Sequence, residues 1–175
     1  RREKGGAIWH HRLYKGDYEL GEIIDFVDSE MPVLVRKCNL KNNIRIILNV
    51  WDFPQVSCIP NSSSYPKAGS ALLVCKSPGL NFMQSYNFPF EQYHQIIIKG
   101  NCRLTETDSK DFFNIDLDKG ESEIYIIGGT SLSECVTNTE AIMDMAYASI
   151  FQRTRKYWDE FTARRTDFSK MIPDK

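Results

Sequence analysis

Up to about residue 129 the apolar positions fall in short runs, and beyond it they recur with helical spacing. The runs lie at 6–13, 18–27, 32–38, 44–51, 71–76, 80–86, 95–104, 112–117 and 123–127. They are rich in Val, Ile, Tyr, Phe and Trp, residues that suit a pleated, half-buried strand. Turn-forming residues separate many of them: Lys15-Gly16-Asp17, Asn42-Asn43, Pro78-Gly79, Gly100-Asn101 and Lys119-Gly120. No helical pattern lies between the runs, so the crossover helices of a parallel sheet have no source. Short strands with short connections predict a mainly β chain, an antiparallel β-sandwich or barrel, with the sandwich over 1–130.

A long C-terminal α-helix is expected over 131–166, followed by a polar tail at 167–175. Ser131-x-x-Glu134 and Thr137-x-x-Glu140 both have capping-box spacing, so either can start the helix, or two helices can follow one another. Ile142, Met145, Ala146, Ile150, Tyr157, Trp158 and Phe161 then fall near one face. Phe151 stands well off that stripe and widens it, as in a helix touched on two sides. Arg153, Arg155, Lys156, Arg164 and Arg165 make the last part basic, which suits a helix C-terminus. Two roles fit equally: packing on the chain's own sheets, or lying between two domains.

Composition narrows the function classes. The chain has 175 residues, 42% hydrophobic and 26% charged, with net charge −1. That balance gives no general attraction to nucleic acid or anionic membrane. No apolar run approaches the roughly 20 residues of a membrane helix. The chain begins Arg-Arg-Glu-Lys without Met or an apolar signal segment, so it is expected to be a piece of a longer protein. Cys38, Cys58, Cys75, Cys102 and Cys135 are odd in number and form no Cys-x-x-Cys pair. Zinc or thioredoxin-like sites therefore fail on spacing, and reduced structural thiols are expected, pointing to the cytoplasm rather than secretion. Asn61-Ser62-Ser63 is a glycosylation sequon in a polar stretch, a pattern that is common by chance.

Catalytic signatures are absent from the sequence. There is no Walker loop, nucleophile elbow or dinucleotide fingerprint. Asp108, Asp111, Asp116, Asp118, Glu121 and Glu123 cluster, but they flank turns and read as solvated charges. His10 and His11 are adjacent on an expected strand and so point to opposite faces, which prevents joint chelation. No metal or cofactor is expected. The ring-rich stretch with Tyr86, Phe88, Phe90 and Tyr93 reads as a loop whose rings either stack on a sugar or pack over the sheet edge.

The order of features resembles a known family. A strand and turn run Asp118-Lys119-Gly120-Glu121-Ser122-Glu123-Ile124-Tyr125-Ile126-Ile127-Gly128-Gly129, followed by Thr130-Ser131-Leu132-Ser133-Glu134. The helix closes with Phe151-Gln152-Arg153-Thr154-Arg155-Lys156-Tyr157-Trp158-Asp159-Glu160-Phe161, and Val35-Arg36-Lys37 is similar to a Val-Arg-Arg strand. Together these resemble the N-terminal super-sandwich domain and linker helix of glucoamylase-like glycoside hydrolases and related disaccharide phosphorylases. In those enzymes the catalytic carboxylates lie in a following six-hairpin α/α barrel, so no catalytic residue carries over. The resemblance implies a non-catalytic accessory domain that packs on the barrel, with Phe151, Tyr157, Trp158 and Phe161 at the interdomain contact. The alternative is a free-standing carbohydrate-binding module that takes an oligosaccharide on Tyr86, Phe88, Phe90 and Tyr93. A self-contained enzyme would need carboxylates converging in one concave pocket.

Overall fold

A computed structural model describes residues 1–3, 6–49, 55–60, 69–77, 90–106 and 112–164. The strands are β1 (Ile8–Lys15), β2 (Tyr18–Val27), β3 (Val33–Leu40), β4 (Ile44–Asn49), β5 (Gln55–Pro60), β6 (Ser70–Ser77), β7 (Phe90–Lys99), β8 (Cys102–Glu106), β9 (Phe112–Leu117) and β10 (Gly120–Gly129). Helices α1 (Leu132–Met143) and α2 (Tyr147–Ala163) follow. A large sheet has the order β1-β2-β3-β10-β7-β6-β5, and a small one the order β4-β9-β8. Neighbouring strands are antiparallel throughout.

The two-residue period of the strands sorts the apolar side chains into two cores. On one face of the large sheet, Ile23, Cys38, Leu40, Leu73, Ile96, Ile98 and Ile124 meet Ile115 and Leu117 of the small sheet. The two sheets therefore stack face to face. On the opposite face, Ile8, Phe26, Val33, Val35, Ile97, Tyr125 and Ile127 meet Ile142 of α1 and Ile150 of α2. The helices cover that face, giving three layers: small sheet, large sheet, helices.

Three expectations change. The single run at 95–104 is two strands in different sheets, because Gly100 takes φ 117 and turns the chain from the large sheet to the small one. β5 pairs with β6 at the edge of the large sheet although its sequence, flanked by Pro54 and ending at Pro60, carries little strand signal; prolines are tolerated at such edges. The single long helix over 131–166 is two helices. Asp144 closes α1, its N–H bonding Glu140 O, and Ala146 is extended at φ −74, ψ 143. The break lets α1 lie along β10 and β7 while α2 turns toward the β2–β3 connection, which one straight rod does not allow.

Of the two capping boxes, Ser131 starts α1. Its Oγ accepts from Glu134 N at 3.1 Å, and the Glu134 carboxylate accepts from Thr130 N at 2.8 Å and Thr130 Oγ1 at 2.6 Å. These bonds hold the Glu134 carboxyl below its ordinary range. Gly129 makes the junction possible, since a Cβ there would stand 2.6 Å from Cys135 N. The run expected as a strand at 80–86 and the tail at 167–175 lie outside the described residues. No helix among the described residues is long and apolar enough to cross a membrane.

Candidate docking surface on the second helix

α2 has 17 residues, which makes it about 25 Å long. Its near half is held by the large sheet. Ile150 is fully buried, and Phe151 meets Phe26 edge to face at 5.5 Å and stacks on Tyr147 at 5.8 Å. Phe151, expected at an interdomain contact, thus packs inward on the chain's own core. It can do so because it stands beside Ile150 on the widened stripe.

A buried ion pair fixes how the helix lies. The Asp28 carboxylate is fully buried after the end of β2. Arg153 approaches it with both forks: Nε donates to Oδ1 at 2.9 Å and Nη2 to Oδ2. Arg153 Nη1 also donates to Glu30 at 3.1 Å. Thr154 Oγ1 donates to Asp28 Oδ1 at 3.2 Å and accepts from Ser29 N at 3.3 Å. A buried carboxylate is tolerated only when paired and hydrogen-bonded in this way. In the sequence, Arg153 is only one of a basic group. Its partner lies 125 residues away, beyond the reach of any local pattern.

The far half of α2, from Arg155 onward, is mostly exposed. Tyr157 and Phe161 are 47% and 54% exposed, large values for rings. They stack on each other at 6.3 Å with an interplanar angle of 16°. Trp158 lies edge-on to both, at 5.3 and 5.5 Å, and is half-buried because it packs over Gly6, 3.6 Å from where a Cβ would stand. Three of the four residues expected at the contact therefore form one cluster at the overhanging end. Lys156–Glu160 at 3.8 Å and Glu160–Arg164 at 4.0 Å lie on the same exposed turns and add little, as solvated helix pairs do.

The expected sugar platform is described only in part. Tyr86 and Phe88 lie outside the described residues. Phe90 and Tyr93 stand in β7, where Phe90 pairs with Ser77 and Tyr93 with Val74 and Gly129. The strand begins six residues before the apolar triplet Ile96-Ile97-Ile98 because β6 supplies partners from Phe90 to Ile97.

The other candidates take structural places. His10 and His11 point to opposite faces, as their spacing predicts: His10 lies between Glu3 and Glu22, and His11 stacks on Trp9 at 6.5 Å. Asp116 forms a two-pronged pair with Arg45, at 2.6 and 3.1 Å, which lowers the Asp116 pKa. Glu121 and Glu123 flank Lys37 at 2.9 and 3.8 Å. Cys38, Cys102 and Cys135 are free thiols, and burial raises each pKa, that of Cys38 to about 11. Such thiols are poor nucleophiles. Among the described residues no group of three His, Cys, Asp or Glu side chains is placed to hold a metal ion. No protein-family model matches the chain, and no curated protein matches it.

Proposed function

We propose that this chain is a non-catalytic accessory domain of a larger carbohydrate-active enzyme, a super-sandwich seated on a helical catalytic barrel through the far half of α2. The observation that carries the reading is the exposed, stacked Tyr157–Phe161 pair, with Trp158 beside it, on a helix whose other half is pinned by Asp28 and Arg153. Aromatic clusters of this kind are rare on free surfaces and common at the centre of interfaces. The pinned near half gives the overhang a fixed direction, so a partner meets it with little ordering cost. Strands first, then a helix ending in Tyr-Trp, is the order in the family that the sequence resembles. The partner that fits is a helical barrel on the same polypeptide.

The reading frame that encodes the chain tests this directly. The proposal expects it to run on after Lys175 into a long, predominantly helical segment containing paired carboxylates. A stop codon shortly after Lys175 would end it. The chain alone is expected to hydrolyse or phosphorolyse no α-glucoside, and turnover by the purified chain would contradict its accessory role.

A further inference from the structure

A cleft of about 810 Å³ opens where the far half of α2 meets β1, β2 and the segment before them. Its volume is in the range of small-molecule sites, but its described lining is made of charged side chains and a histidine. Arg1 and Arg2 come from the first residues, Arg12 from β1 and Arg155 from α2. Three carboxylates face these four guanidiniums: Glu3, Glu22 and Asp159.

The carboxylates do not neutralise the arginines one for one. Glu3 and Glu22 are both turned onto the His10 ring, Glu3 at 3.0 Å from Nε2 and Glu22 at 3.3 Å from Nδ1. Glu3 also reaches Arg155 at 3.8 Å. Among the described residues no carboxylate lies within ion-pairing distance of Arg1, Arg2 or Arg12. Arg2 lies over the Trp9 ring at 5.8 Å, and Glu19 and Glu22 act on Arg12 from beyond pairing distance. The ring contact holds the Arg2 guanidinium in place without a carboxylate partner.

We propose that this cleft binds a small phosphate ester. Guanidinium forks match the oxygens of a phosphate two at a time, and four of them line this one cleft. Arg12, on β1, and Arg155, on the helix across the cleft, grip the phosphate from opposite sides. Asp159 repels a bare oxyanion but accepts hydrogen bonds from hydroxyls on the organic part of the ester. The site is separate from the ring cluster, so it stands or falls apart from the docking role of α2.

Isothermal titration of the chain with glycerol phosphate at low ionic strength tests the site, with inorganic phosphate as the second probe. Saturable one-to-one binding is expected for the ester, weakened by about tenfold or more in Arg12→Gln, because a charge-assisted hydrogen bond is lost. Arg155→Gln, which alters the helix wall instead, is expected to weaken it too and serves if Arg12→Gln fails to fold. Arg45→Gln, on the small sheet, is expected to leave the affinity unchanged. No saturation by either probe at millimolar concentration would overturn the proposal. So would equal weakening by Arg45→Gln and Arg12→Gln, which would mean that only overall charge matters.

Discussion

At the scale of single residues, Asp28 couples the two ends of the chain. Its carboxylate is out of solvent and takes its bonds from Arg153 and Thr154. Removing one partner of such a pair strands a buried charge, at a cost of about 3–5 kcal/mol. Arg153→Gln is therefore expected to lower unfolding free energy by about that amount in urea titrations. A loss under about 1 kcal/mol, the value of an exposed pair, would mean that the latch is solvated. Titration gives a second residue-scale prediction. Burial lifts Cys38 from 9.0 to about 11 and Tyr147 from 10.0 to about 12. Both groups are neutral when folded, and the unfolded chain ionises first. Their stabilising effect is full below pH 9 and is lost as pH rises, from 9 to about 11 for Cys38 and from 10 to about 12 for Tyr147. Melting temperatures measured from pH 8 to pH 12 should fall across that window, with a smaller fall in Cys38→Ala. A flat profile would contradict burial of these groups. The structural role of the thiols was legible in the sequence, but the latch was not: nothing local to Asp28 reveals that a helix will close on it.

At the scale of elements, the strands were legible and their partners were not. The two-residue alternation marks β4 and β9 because each buries one face on a core and shows a more polar one, whereas β10 buries both faces and reads as a continuous apolar run. It is silent on which sheet a strand joins, so the passage from β7 to β8 at Gly100 looked like one run with a bend. The break at Asp144–Ala146 carries no Gly or Pro, and it follows from where the two helices find their partners. The α1 start was legible as one of two possible boxes, and its energetics are testable. Ser131→Ala removes the acceptor for Glu134 N and should cost about 1 kcal/mol. Thr137→Ala removes no cap and should cost less. Gly129→Ala forces a methyl against the Cys135 backbone, and overpacking of that kind costs about 1–3 kcal/mol. Thermal unfolding followed by circular dichroism would rank the three. A Thr137 variant worse than the Ser131 variant would place the helix start wrongly.

At the scale of the whole molecule, three layers leave one large element half covered. The near half of α2 completes the second core, and the far half carries rings with no sheet beneath two of them. The aromatic-basic ending of the helix was legible in the sequence; which rings face inward was not. Phe151 and Tyr157 are both aromatic and six residues apart, and only the sheet's extent separates a core residue from a surface one. Single substitutions of exposed residues change stability little, within about 0.5 kcal/mol. Tyr157→Ser with Phe161→Ser should therefore leave this chain's own melting temperature nearly unchanged, while destabilising any assembly in which those rings are covered. The central claim, that the far half of α2 is a docking surface for a catalytic barrel, is met most directly by hydroxyl-radical footprinting of Tyr157 and Phe161. The measurement compares this chain alone with the complete polypeptide that its gene encodes. The account predicts ready labelling of both rings in the chain alone and strong protection in the complete protein. Equal labelling in the two would contradict it.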